Sequence, residues 1–465
     1  MADLSSLPPL NAQPVSAEAR LAYVLRHFRM AYEVEGELPT IGYAATRPSI
    51  EIANGAGDFF SQTEPFPSPP AFLAWMGREL PFFFTPHIEG SLLTLAPGRA
   101  EIHVDIVSAA FYLLSGWQEY FSNKRDQHGR FPFSASVQDF FGFVEVPVVN
   151  YYFDVLRVAV EHVTGQPLRP RRWVADAPFA TFVTHDIDNL YSAWKEPAKE
   201  ALRRRNWLGF GQQLWRRWTR PDAWDNLKQV GEEVARYGAK SAFFFLGSHR
   251  PSETGTPNAD YRINAGDIKQ QIRLLRDWGN EIAVHGSIGT SDFDLALTLE
   301  HLALLEVLEL MPEAREVCGN RFHYLRWEPR HTPFALETTG FEYDSTLGFA
   351  EHFGFRHSYC HPFHPYDFAN NRPCGFLEIP LNLMDATLHH PRYLQLAPDE
   401  ILPAVEPMLR EIERFGGVFT LLWHNENFDP ANTVNGPREF HRIMAYLRSR
   451  QTAFLTGRAI CEMVK

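Results

Sequence analysis

FATFVTHDID, residues 179–188, is an apolar run that ends in a pair of acids. The run reads as a strand buried on both faces, as a parallel sheet covered by helices requires. Asp186 and Asp188 stand two apart, and on a strand such residues share a face. Two carboxylates that close repel, unless a cation lies between them or one of them holds a proton. A divalent metal resolves the conflict: one carboxylate ligates, and the other takes a proton from metal-bound water, whose pKa zinc lowers to about 7. The plainer reading of the same residues is a solvated strand end with a turn.

The sequence on the C-terminal side repeats the pattern. AFFFLG (242–247), EIAVHG (281–286), EVCGNRFHY (316–324), FEYDS (341–345), FLEIPLNL (376–383), GVFTLLWHN (417–425) and TAFLTG (452–457) are strand-like. Amphipathic stretches such as GDIKQQIRLLRDWGN (266–280) and DLALTLEHLALLEVLELM (294–311) separate some of them. Apolar strands alternating with helices predict parallel strands in an α/β barrel. Chemistry in such barrels gathers at the C-terminal strand ends. Asp186, Asp188, His285, Arg321, Asp344 and His424 each follow an apolar run there. Any one of them has a structural explanation; six at successive strand ends are hard to assign to solubility. His424 suits a general acid for an amine leaving group. Arg321 and Asp344 suit the orientation of a base or the holding of an oxyanion.

Taken in order, THDID, VHGS, RFHY, YDS and LWH resemble the motif set of the polysaccharide deacetylase family, the NodB-homology proteins, over residues 179–465. That family carries TFDD or a DxD variant on its first strand, then HxxxH, RxP(Y/W) and LxH. The resemblance implies a distorted (β/α)7 barrel and removal of an acetyl group from an N-acetylated amino sugar or glycan by metal-bound water. It implies Asp186 as catalytic base and Asp188 and His285 as ligands of a divalent metal, with zinc expected. Arg321 is implied as the residue that orients the base, and His424 as the general acid. Tyr324, Asp344 and Trp423 are expected as substrate contacts. The substrate expected is a carbohydrate or glycoconjugate. Two other outcomes stay open: a catalytically silent carbohydrate-binding protein, and a metal-dependent hydrolase of non-sugar amides.

The sequence departs from the pattern at one ligand. Gly289 stands where HxxxH has its second histidine, and His323 stands where the family has proline. Three possibilities follow. Another residue supplies the third ligand, with Ser287, Thr290, Asp292, His323 or the group His357, Cys360, His361 and His364 as candidates; or water completes the shell; or the site is lost. The loop HSYCHPFHPYDF (357–368) has no standard zinc spacing. Its proline and aromatic residues suggest an ordered lid over the cleft.

Ahead of the barrel, residues 15–35 read as a helix, and strand-like pieces fall around 40–60 and 92–98. DIVSAAFYLLSGWQEYF (105–121) and VPVVNYYFDVLRVAVEHV (146–163) read as further helices. The aperiodic, Pro/Arg-rich TGQPLRPRRWVADAP (164–178) marks a boundary, so residues 1–175 are expected as an accessory α/β domain and 176–465 as the barrel. LLSGWQEYF with RDQHGRF, ahead of such a barrel, resembles the accessory domain of some divergent deacetylases.

A length of 465 residues suits two domains. The net charge of -12 argues against a general nucleic-acid binder. The exception is ALRRRNWLGFGQQLWRRWTR (201–220), with six arginines and three tryptophans. It reads either as a basic amphipathic helix for a membrane surface or polyanion, or as a solvated connector whose tryptophans pack on the barrel. The four cysteines show no zinc or disulfide spacing, so a reducing compartment is the default. The N-terminal stretch lacks the basic start and apolar run of a signal peptide. No apolar run is long enough for a transmembrane helix, and a cytoplasmic protein is expected.

Overall fold

The computed structural model describes residues 10, 12–34, 36–85, 90–252 and 255–464. Part of the stretch read for a leader, residues 1–9 and 11, lies outside the described residues.

The chain folds as a mixed α/β protein around a curled parallel sheet, a distorted barrel of the expected kind. Among the described residues this sheet has nine strands. Ala180–Ile187 lies at its centre, buried at every position. On one side follow Ala242–Leu246, Glu281–Gly286, Gly319–Phe322, Tyr343–Asp344 and Leu377–Glu378, each parallel to the last. On the other side come Val418–Leu422 and then Leu383–Met384. The two outermost strands are thus almost consecutive in sequence. FLEIPLNL, expected as one strand, pairs with Tyr343–Asp344 through its first half and with Val418–Leu422 through its second. Between them Ile379 N donates to Asp344 O (2.8 Å) and Asn382 N to Thr420 O (3.3 Å), so the chain itself spans the gap. Ala453–Phe454 adds a short pairing at the start of the central strand.

Alternation along the central strand sorts the interior. Ala180 and Phe182 pack with Phe244, Ala283 and Tyr343 inside the barrel, where Ile460 and Val464 of the last helix, Gly457–Val464, close one end. Val183 and Ile187 face the covering helices instead. Thr184 and Asp186 continue the interior row toward the other end, where Arg321 reaches both.

The N-terminal part contains the helix Ala17–Ala31, a sheet of Ile41–Gly42, Ile50–Ile52, Leu93–Ala96 and Arg99–Ile102, a hairpin of Ala71–Trp75 with Arg78–Phe82, and the helix Val148–Thr164. The hairpin was not foreseen. The stretch 105–121, expected as one helix, is two: Ile106–Leu114 and Trp117–Phe121. Gly116 breaks it at φ 74, where a Cβ would stand 3.0 Å from the His357 ring.

Residues 357–368 are not a lid. All but Asp367 are buried, and they run between the barrel and the N-terminal helices. Tyr23 Oη donates to His364 O (2.7 Å), Asn150 Nδ2 lies 3.0 Å from His361 Nδ1, and Tyr359 Oη donates to His27 O (3.2 Å). Just ahead of the segment, Arg356 meets Glu119 through two hydrogen bonds of 2.8 and 2.5 Å, with both side chains buried. Apolar burial runs unbroken from Tyr23 and Phe28 through Tyr359 and Phe363 to the barrel helices.

Candidate metal centre and cleft

The three motif segments THDID, VHG and RFHY converge because their strands fall within four consecutive strands of one curled parallel sheet. His285 pairs in register with Leu246 on one side and Arg321 on the other. Asp188 follows the central strand, and His323 follows Gly319–Phe322. The ligand atoms of Asp188, His285 and His323 all lie within 4.8 Å of one another. Asp188 Oδ1 is 3.3 Å from His285 Nε2, and Asp188 Oδ2 is 3.5 Å from His323 Nε2.

These residues fit a divalent cation on three counts. Asp188 Oδ1 is buried and forms no hydrogen bond, an expense that a cation between it and the imidazoles would remove. His285 Nδ1 lies 2.7 Å from Arg321 O, which fixes the tautomer that leaves Nε2 as a lone-pair donor. One carboxylate and two imidazoles form a donor set suited to zinc and its neighbours. His323 thus stands where the sequence left the third ligand open. Gly289 has a left-handed backbone, φ 97, in a turn closed by Thr290 N donating to Ser287 O (3.0 Å). That conformation disfavours the histidine expected there. Of the other candidates, Thr290 Oγ1 donates to Ser287 O, Asp292 pairs with Arg326, and His357, Cys360, His361 and His364 lie in the buried segment between the two parts.

Two charged pairs flank the triad. Arg321 NH1 binds Asp186 Oδ1 at 2.9 Å and Thr184 Oγ1 at 2.8 Å, while its remaining nitrogens donate to Ser345. Asp186 Oδ1 is therefore committed, and its Oδ2 faces His285 Nε2 at 3.7 Å. On the other flank His424 Nδ1 binds Asp385 Oδ1 at 2.7 Å, and its Nε2 stands 3.8 Å from Asp188 Oδ2. Asp385 also accepts from His424 N (2.7 Å) and Asn427 Nδ2 (2.5 Å). Burial disfavours the charged imidazole of His424, but Asp385, with Asp188 and Asp186, outweighs it and pushes the pKa up to about 10. Burial likewise opposes ionisation of Asp188, and His323 and His285 overcome it and hold the carboxyl well below its ordinary value. His285 is raised: burial works against it, and Asp186 and Asp188 prevail.

The centre opens into a cleft of about 850 Å³, within the range of small-molecule sites. Tyr324 forms part of its wall, with a left-handed backbone at φ 59 that turns the chain after His323. The other face of this wall comes from the N-terminal part. His128 stacks on Tyr324 with centroids 4.7 Å apart and planes 11° from parallel, and Arg130 NH1 donates to Tyr324 O at 3.1 Å.

Two of the expected substrate contacts are corrected. Trp423 is wholly buried, packed against Phe440 at 5.8 Å beneath the covering helices, because it points opposite to its neighbour His424. Asp344 is wholly buried too, accepting from Asn320 Nδ2 (2.7 Å) and Thr346 N (2.8 Å). Neither lines the cleft. Sequence reasoning did not find Asp385. It sits just past Leu383–Met384, so the strand-end rule that found the others applies, but a strand of two residues gives no pattern to see. Asn258, whose Oδ1 is 3.4 Å from His323 Nδ1, lies in an irregular segment with no such signal.

A family model described as a family of unknown function, DUF7033, matches residues 17–164. No curated protein matches the chain. Solved structures similar to it include a Mycobacterium smegmatis protein provisionally described as a polysaccharide deacetylase, with 18% identity and a TM-score of 0.43 over 64% of this chain and 94% of that one. A Pseudomonas aeruginosa PAO1 protein with the same provisional description is 12% identical, with a TM-score of 0.41 over 63% and 92% of the two chains. Puue allantoinase is 13% identical, with a TM-score of 0.41 over 63% and 93%.

Proposed function

We propose that the protein is a metal-dependent amide hydrolase that removes the acetyl group from an N-acetylated amino sugar or glycan. The observation that carries this reading is the Asp188–His285–His323 donor set with an Arg321-held carboxylate on one flank and an Asp385-held imidazole on the other. A divalent cation held by those three residues supplies Lewis acidity, which lowers the pKa of water and polarises a carbonyl.

The chain's own residues divide the remaining work. Asp186 accepts the proton of the attacking water at Oδ2, since Arg321 holds Oδ1. Water adds its oxygen to the acetyl carbon, and the carbon–nitrogen bond breaks. His424 Nε2, protonated and steadied by Asp385, gives its proton to the departing nitrogen, so acetate and a free amine leave. The His128–Tyr324 stack offers a flat wall for a sugar ring. The buried thiols of Cys318, Cys360 and Cys374 suit a reducing compartment, and we place the protein in the cytoplasm on that ground.

The test is metal content beside acetate release. Purified protein is expected to hold a divalent metal, zinc first among candidates, at one per chain, and to release acetate from an N-acetylglucosamine oligomer. Stoichiometric metal with acetate release only from non-sugar amides moves the substrate class. A protein that binds glycans but takes up neither zinc, cobalt nor manganese is a silent lectin-like relative.

A further inference from the structure

The basic stretch after the first barrel strand forms two helices, Lys195–Arg203 and Trp207–Thr219. They run antiparallel: Arg217, late in the second, lies over the ring of Trp194, which precedes the first, at 4.5 Å. The tryptophans do not pack on the barrel. Trp207, Leu208, Trp215 and Trp218 are 69, 89, 59 and 80% exposed. At about 100° per residue they fall on one side of the second helix. Phe210, Gln213 and Leu214 are half-buried on the adjoining side. The helix is therefore rolled so that only one edge of its apolar stripe meets the protein.

Charge decides what covers the rest. Residues 195–220 hold eight lysines and arginines against two glutamates, in a chain whose net charge is -12. Both glutamates are engaged locally, Glu196 with Lys199 and Glu200 with Arg203 and Arg204. Arg205, Arg216 and Arg220 form no ion pair among the described residues. A second copy would bring the same positive face and be repelled. A nucleic-acid duplex would pair the arginines but offers no apolar phase for Leu208 and the exposed indoles. An anionic bilayer instead offers phosphates above acyl chains, the order in which arginines and exposed indoles are satisfied together.

We propose that this helical pair docks the protein on an anionic lipid bilayer, with Trp207, Leu208, Trp215 and Trp218 at the headgroup–acyl boundary. It lies along the surface; among the described residues no helix is long and apolar enough to cross a membrane. Lys195 and Glu196 border the same opening as Asp188, His323 and Tyr324, so docking brings the cleft mouth toward the lipid.

The experiment is co-sedimentation of the full chain with vesicles of phosphatidylcholine alone and of equal parts phosphatidylcholine and phosphatidylglycerol. At least about tenfold stronger binding to the anionic vesicles is expected, falling as salt is added. Trp207→Ser/Trp215→Ser/Trp218→Ser and, separately, Arg203→Glu/Arg205→Glu/Arg216→Glu are expected to abolish it with thermal midpoints unchanged, since all six side chains are exposed. In the unmodified chain, brominated acyl chains are expected to quench tryptophan fluorescence. Equal binding to both vesicle types, none to either, or no quenching overturns the proposal. So does a preference for single-stranded nucleic acid over anionic vesicles, or self-association through this face that vesicles do not displace. The assay reads binding, so its failure leaves the hydrolase reading untouched.

Discussion

The protein gathers histidines in two places, and the two behave in opposite ways. At the barrel end, His285 and His424 lie beside Asp186, Asp188 and Asp385, and both imidazoles are held above their ordinary pKa. Between the barrel and the N-terminal part, His27, His357, His361 and His364 lie among aromatic rings and backbone carbonyls. Burial drives His27 and His361 down to about 3 and His357 and His364 to about 4. In sequence the second group looks the richer in ligands, since three histidines and a cysteine fall within eight residues. What separates the groups is an uncommitted carboxylate, which both compensates a charged imidazole and completes a cation's donor set; Glu119 near His357 is already neutralised by Arg356. A histidine cluster without a free one is a packing device.

The largest effect expected on this contrast is at the barrel end. Asp186→Asn is expected to keep metal and lose about 10²–10⁴-fold in turnover, since the amide cannot take the proton. His285→Ala is expected to lose metal and activity together, whereas His361→Ala is expected to keep both. Bound metal per chain beside acetate release checks all three; metal loss on removing His361 would dissolve the distinction between the clusters.

Next comes the ion pair beside the second cluster. Arg356→Met leaves Glu119 buried without its partner and is expected to cost about 3–5 kcal/mol, read by urea unfolding. Pairing it with Glu119→Gln is expected to restore part of that loss. No restoration would mean that the arginine acts through packing alone.

Protonation sharpens the contrast further. An imidazole held below its ordinary value binds protons less readily in the folded chain than in the unfolded one. The stability from His27, His357, His361 and His364 is thus complete above pH about 6.5 and is lost as pH falls from there toward their folded values of about 3 and 4. Each is expected to cost up to about 1.4 kcal/mol per pH unit in that window. Thermal midpoints between pH 7 and 4.5 check this, and His361→Asn is expected to flatten the slope.

The smallest effect concerns the wall shared by the two parts. His128→Ala removes a stack worth about 0.5–1.5 kcal/mol, so KM is expected to rise by up to about tenfold with kcat little changed. A fall in kcat alone would place His128 in the chemistry rather than in binding.

Much of the barrel was legible because its strands are buried on both faces. Ala180–Ile187, Ala242–Leu246 and Glu281–Gly286 stand out as apolar runs, each placed within a residue or two. The break at Gly116 and the division of FLEIPLNL were not legible, since each depends on what packs opposite: a His357 ring in one case, two different partner strands in the other. In the site, Asp186, Asp188, His285, Arg321 and His424 were named from strand ends, and the structure brings them together. Asp344 was misplaced because a strand of two residues gives no phase to count from, whereas Trp423 continues the outward row of Phe419 and Leu421 along Val418–Leu422, so alternation alone could have placed it.

By itself, then, the sequence determined which residues could be neighbours at one end of a parallel sheet, because strand polarity and period are written in the apolar pattern. Only the tertiary structure decided that His323 stands where Gly289 cannot, and that Asp385 steadies His424. Only it decided that His128 of the N-terminal part walls the cleft. Each of these is a contact between segments far apart along the chain, and which loops meet is set by the packing of whole elements rather than by any local pattern.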